Sequence, residues 1–136
     1  MAINMYDCLN NDDIDGFLNG LKAFLASILY TDRHKEIRKT ESYYEVLIYL
    51  IFTSFSRFVQ TQVKSCRGRA DIVMRHNDRI YILEIKIDGS AQEALQQINE
   101  KGYASPYIAE GKPIIKCGVS ISSETCTLNE WITENL

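Results

Sequence analysis

Two strand-length segments carry charges where core strands usually have none. Arg69-Ala70-Asp71-Ile72-Val73-Met74 is followed, across the polar His76-Asn77-Asp78, by Ile80-Tyr81-Ile82-Leu83-Glu84-Ile85-Lys86-Ile87. The β-branched and aliphatic content predicts two paired strands, and Asn77-Asp78 suits the tight turn of an antiparallel hairpin. Charged groups inside such segments carry a large desolvation penalty unless they meet a partner. The pair therefore constrains the chain twice. It requires a sheet with a buried face, and it requires a reason for Asp71, Glu84 and Lys86 to lie within it.

Strand periodicity shows which of these residues meet. Tyr81, Leu83, Ile85 and Ile87 share one face, while Ile80, Ile82, Glu84 and Lys86 share the other. Glu84 and Lys86 then project the same way, about 7 Å apart along the strand. In a hairpin turning at Asn77-Asp78, Asp71 falls opposite Glu84, because each is about equally far from the turn. Two converging carboxylates repel each other, and a divalent cation such as Mg²⁺ or Mn²⁺, which takes hard oxygen ligands and keeps its waters, relieves the conflict. Lys86 beside such an ion would orient or deprotonate an attacking water, or stabilise charge on phosphate oxygens. The plainer reading is a solvated sheet face with a Glu84–Lys86 salt bridge, since Glu-x-Lys alone recurs by chance. The hairpin that adds Asp71 is what raises the cluster above that level.

The rest of the chain supplies helices on either side. Asn10-Asn11-Asp12-Asp13 offers capping oxygens before Ile14, Phe17, Leu18, Leu21, Phe24, Leu25 and Ile28, whose spacing of three and four predicts a helix over 13–29. Residues 30–40 are polar and mixed in charge, as in an exposed connection or the start of the next helix. A largely buried helix is predicted over 41–55, a strand over 58–64 and a turn over 65–68. Ser90-Ala91-Gln92-Glu93 is a capping-box pattern, opening a helix that turns Ala94, Leu95 and Ile98 inward and ends at Gly102. A further strand is predicted over 112–122, and 125–136 reads as strand in its first half. The order indicates an α/β or α+β sandwich, a mixed sheet between helices, with an extra N-terminal helix.

Composition removes several alternatives. At 136 residues with 46% hydrophobic content, the chain fits one ordinary domain with a real core. Its longest apolar run, 46–52, is far shorter than a membrane span, and the first residues lack a signal-peptide pattern, so a cytoplasmic location is expected. Cys8, Cys66, Cys117 and Cys126 form no CxxC pair, and His34 and His76 do not complement them at zinc-site spacing. A net charge of -3 is the wrong sign for nucleic-acid binding by overall electrostatics. Binding of that kind has to rest on a local patch or a bound cation.

Gly68-Arg69-Ala70-Asp71, Glu84-Ile85-Lys86, and Ala94-Leu95-Gln96-Gln97-Ile98 with Tyr103 together resemble the PD-(D/E)XK nuclease superfamily. More narrowly, they are similar to the nuclease-like C-terminal domain of bacterial proteins that carry an AAA-ATPase-like domain. The resemblance implies a restriction-endonuclease-like α-β-β-β-α-β core over 39–136, with 1–38 as a helical lead-in to one structural unit. It implies Mg²⁺ or Mn²⁺ held by Asp71, Glu84 and the Ile85 carbonyl, with Lys86 assisting hydrolysis of DNA, or less readily RNA. It also implies an acid from the first core helix. Glu41 and Glu45, one turn apart, both qualify, and many relatives have His at the position of Glu45. Gln97, Arg69 and Tyr103 are the candidate substrate contacts. For Gln97 the competing reading is a polar helix residue, for Arg69 a salt bridge to an acid, and for Tyr103 packing. The implied partners are nucleic acid, an AAA-type ATPase domain in a longer protein, and a second copy of the chain. The competing function is a catalytically idle nuclease-like module that binds or regulates such an ATPase.

Overall fold

The structure is a computed structural model that describes residues 2–31, 41–54, 58–65, 68–125 and 127–136. The side chains of 2–4, 28–31, 41–45, 58–65 and 68–69 lie outside that description. So do residues 32–40 of the charged stretch expected over 30–40, whose first two residues instead end the helix Ile14–Thr31, the break expected at Ser56-Arg57, and Cys66 and Cys126.

Four α-helices, α1 (Ala2–Asn10), α2 (Ile14–Thr31), α3 (Glu41–Thr53) and α4 (Ala91–Glu100), accompany five strands. These are β1 (Phe58–Ser65), β2 (Gly68–His76), β3 (Arg79–Ile87), β4 (Ile114–Ser122) and β5 (Thr127–Asn135), with a 3-10 helix at Ser105–Glu110. The strands form one sheet in the order β1-β2-β3-β4-β5, antiparallel at every step except β3 to β4, which are parallel. That parallel step is made through α4, as a crossover connection requires. The sequence of elements from α3 to β4 is the expected α-β-β-β-α-β.

Alternation along the strands sorts side chains to two cores. Ile72, Met74, Tyr81, Leu83, Ile85, Cys117, Val119 and Ile121 pack on one face against Leu9, Phe17, Leu18, Leu21, Leu25, Ile48 and Phe52 of the first three helices. Phe17 and Phe52 meet edge to face with ring centroids 5.1 Å apart, joining α2 to α3 within this core. On the other face Val73, Ile80, Ile82 and Ile114 are covered by Ile98 of α4 and by Tyr103, Ala104 and Tyr107 beyond it. Glu84 and Lys86 belong to this second face, where both reach Gln97 of α4.

Local signals position α4. The Ser90 hydroxyl accepts from the Glu93 amide at 3.0 Å, and the chain leaves the helix through Gly102 at φ 63, a left-handed conformation that glycine adopts without strain. Ser90→Ala is expected to lower stability by about 1 kcal/mol, measured from the urea midpoint at unchanged m.

Two elements and the outer half of a third were not legible in the sequence. α1 is a short helix whose Met5 and Leu9 are buried by the fold, the 3-10 helix carries only Tyr107 inward, and β5 runs its full length where only its first half was expected. In β5 the polar residues come from an edge strand, held by pairing with β4, by Thr127 Oγ1 donating to the Lys22 carbonyl and by Trp131 Nε1 donating to Asp15. The two side-chain bonds reach partners more than a hundred residues away in sequence.

Beyond the end of β3, Asp88 sits at φ 58 and accepts from the Ser123 amide at 3.0 Å and the Ser123 hydroxyl at 2.5 Å. These bonds hold its carboxyl below the usual carboxylate range. A depressed folded-state pKa gives stability that is present above the unfolded value, about pH 4, and lost as pH falls through the folded value. Asp88→Asn keeps the turn but not the charge. The stability gap between wild type and Asp88→Asn is expected to narrow on acidification below about pH 4, read by urea unfolding across a pH series.

Candidate metal and active centre

The β2–β3 ladder runs from His76↔Arg79 to Ile72↔Leu83 and then stops, although that register would bring Asp71 opposite Glu84. Where the ladder ends, Asp71 Oδ2 accepts the Ile85 amide at 2.8 Å. A side chain thus replaces the backbone acceptor that a continued ladder would supply, and the two strands part at the acids. Since a strand residue's N–H and C=O leave on the same side, the Ile85 carbonyl lies along the edge that Asp71 occupies.

Glu84 is 4% exposed, which would be costly for a carboxylate left to itself. Gln97, on the second turn of α4, answers it by donating from Nε2 to Glu84 Oε2 at 2.8 Å. The same amide nitrogen reaches the Tyr103 hydroxyl at 3.0 Å, while Gln97 Oε1 accepts from Lys86 Nζ at 2.5 Å. The amide orientation follows from chemistry, because a carboxylate needs a donor and an ammonium needs an acceptor. Lys86 Nζ lies 4.0 Å from Glu84 Oε2, so Gln97, rather than a direct hydrogen bond, couples the two charges. A charge-assisted hydrogen bond contributes about 1.5–3 kcal/mol, enough to offset part of the burial of Glu84.

The structure therefore brings together Asp71, Glu84, Ile85, Lys86, Gln97 and Tyr103. Tyr103 packs in the second core and also holds Gln97. Glu41 and Glu45 stand on the N-terminal part of α3 and Arg69 near the start of β2, but their side chains lie outside the described residues. Reading the sequence missed one contributor, Gly118. It is the β4 residue paired with Glu84, and a Cβ there would lie 2.4 Å from the Ala91 carbonyl oxygen and 2.5 Å from the Leu95 amide. The missing side chain lets α4 approach the sheet closely beside Glu84, which allows Gln97 to reach it. A lone glycine in an otherwise apolar strand was the available signal.

Two carboxylates on neighbouring strands, with a backbone carbonyl beside them, are hard oxygen donors of the kind Mg²⁺ takes in ones and twos while keeping its waters. Asp71, Glu84 and Lys86 sum to one negative charge, and a carboxylate oxygen that already accepts an N–H keeps lone-pair capacity for a cation. Those residues fit the ion. Among the described residues no third His, Cys, Asp or Glu completes a metal cluster with them. A larger depression, about 400 Å³, opens at the hairpin tip among Arg75, His76, Asn77, Asp78 and Lys112. It lies at the far end of β2 from Asp71, and its Arg75 is committed to Glu110 at 2.9 Å and to the face of Tyr107. The carboxylate chemistry is not there.

A family model described as the PD-(D/E)XK nuclease superfamily matches residues 39–131. The chain belongs to that superfamily. Its mixed sheet flanked by helices is the restriction-endonuclease-like fold of the PD-(D/E)XK proteins, here with two helices ahead of the core. The match includes every candidate site residue from Glu41 to Tyr103. A protein of Azotobacter chroococcum mcd 1, named "Uncharacterized protein in vnfD 5'region", is 33% identical over 135 residues. The alignment covers 97% of this chain and 26% of that protein, so the chain spans about a quarter of the length of the curated relative it matches. No solved structure matches. No described helix is long and apolar enough to cross a membrane.

Proposed function

We propose that this chain is a metal-dependent nuclease domain that hydrolyses phosphodiester bonds, with DNA as substrate. The observation that carries the reading is the Glu84–Gln97–Lys86 relay beside Asp71, which keeps a buried carboxylate and a half-buried lysine 4.0 Å apart on one face of a parting hairpin. Asp71, Glu84 and the Ile85 carbonyl would hold Mg²⁺ or Mn²⁺, with Glu41 or Glu45 as the further acid. When bound, the ion would supply Lewis-acid stabilisation of phosphate charge and lower the pKa of water at the site. Lys86 gives one N–H to Gln97 and offers its others to the phosphate oxygens as charge builds there. Water adds to phosphorus and gives up a proton to solvent, the bond to the leaving oxygen breaks, and that oxygen takes up a proton from solvent. Gln97 and Tyr103 position Lys86, and Arg69 is the candidate phosphate contact outside this relay.

A second reading is a nuclease-like module that no longer cuts and serves an AAA-type ATPase domain of a longer protein. The net charge of -3, which gives no general attraction to nucleic acid, favours it. Titration calorimetry of Mn²⁺ against wild type and Asp71→Asn, followed by cleavage of single- and double-stranded DNA, separates the two. The nuclease reading expects metal binding that weakens at least about ten-fold in the variant, as the loss of one charged ligand implies, together with metal-dependent cleavage. Equal metal affinity in both proteins and no cleavage of either substrate would leave the module reading.

A further inference from the structure

We propose that the groove between Lys86 and the outer side of α4 takes one unstacked base of a single-stranded DNA, a base bearing an exocyclic amine. It would lie beside the phosphate held at the carboxylate pair, so the inference rests on the nuclease reading and names its substrate. The groove measures about 330 Å³ and is lined by Lys86, Glu93, Gln96, Gln97, Glu100 and Lys101. That volume is at the lower end of small-ligand sites, suited to a single nucleoside rather than a duplex. Glu93, Gln96, Gln97 and Glu100 share one helix face by their spacing of three and four.

The lining decides which part of a nucleotide enters. Glu93 and Glu100 repel a phosphate chain, so the backbone is left to Lys86 at the groove's sheet side and Lys101 at the end of α4. Gln96 spends an N–H on Glu100 Oε1 at 2.7 Å, and Ser90 donates to Glu93 Oε1 at 3.2 Å. What this helix face offers a ligand is mostly acceptors, the Gln96 carbonyl and the two carboxylates, against the one N–H that Gln96 keeps. Cytosine N4 and adenine N6 are donors that match such a surface, whereas thymine presents O4, an acceptor, at the corresponding position. A base edge enters a groove of this kind only when it is neither paired nor stacked, which makes a single strand or a frayed end the substrate.

Fluorescence anisotropy with labelled oligodeoxycytidine, oligothymidine and a duplex of equal length, with Ca²⁺ as the only divalent ion, reads the base preference without cleavage. Wild type is expected to bind oligodeoxycytidine about ten-fold more tightly than oligothymidine or the duplex, in line with one well-made base contact. The double variant Gln96→Ala/Glu100→Ala changes only exposed residues and is expected to bring the two single strands within about two-fold of each other. Equal binding of the two homopolymers, tighter binding of the duplex, no binding, or a preference that survives the double variant overturns the groove assignment. Cleavage in Mg²⁺ is scored separately. A protein that cuts both homopolymers at equal rates keeps the nuclease reading and loses the groove. One that prefers oligodeoxycytidine but cuts nothing loses the nuclease reading and keeps the groove.

Discussion

Lys86→Ala is expected to slow metal-dependent DNA cleavage by two to three orders of magnitude, roughly the loss seen when one preorganised charge-stabilising donor is removed. The physical ground is the position of Nζ. Its side chain is 27% exposed, it donates to Gln97 Oε1 at 2.5 Å, and it pairs with the buried Glu84 at 4.0 Å, too far for a direct hydrogen bond. An ammonium held this way pays little reorganisation when charge appears on a phosphate. Stability should fall by only about 1 kcal/mol, because the hydrogen bond lost to Gln97 lies at a partly solvated position. Single-turnover rates on a labelled oligonucleotide, with urea unfolding alongside, test both halves. A rate within three-fold of wild type would remove Lys86 from the mechanism, whereas a comparable rate loss with a collapsed urea midpoint would reduce it to a structural residue.

The second large effect is expected at Gly118. Gly118→Val places a side chain where a Cβ would already lie 2.4 Å from the Ala91 oxygen, 2.5 Å from the Leu95 amide and 3.1 Å from the Ala94 methyl. The first two are helix backbone and cannot rotate aside, so α4 has to move away from the sheet as a body. Overpacking of this kind costs about 3 kcal/mol or more, read from the urea midpoint. The displacement also carries Gln97 away from Glu84, the residue that Gly118 pairs with across β3 and β4. Metal affinity and cleavage should therefore fall in the fraction of Gly118→Val that remains folded. A variant that lost stability but kept wild-type metal affinity would show that the spacing of α4 does not govern the site.

Much of the site was legible because strand periodicity is strict. Alternation alone puts Glu84 and Lys86 on one face, and equal distances from Asn77-Asp78 bring Asp71 opposite Glu84. Four core strands and three of the four helices were legible for similar reasons, since their apolar spacing and caps are local. α1 and the outer half of β5 were not, because their residues are held by Met5 and Leu9 in a shared core and by pairing to β4. No short window of sequence records a contact made more than a hundred residues away, such as Thr127 with Lys22.

By itself, the sequence determined the hairpin and which of its charges can meet, since these follow from spacings within about twenty residues, and its motifs resemble the superfamily whose model matches residues 39–131. Only the tertiary structure decided how those charges coexist. It ends the β2–β3 ladder at Asp71, admits α4 over Gly118, and places the Gln97 amide between a buried carboxylate and a lysine. The reason is that a hydrogen bond depends on distances of a few tenths of an ångström between elements, and those distances are set by packing, which periodicity does not encode.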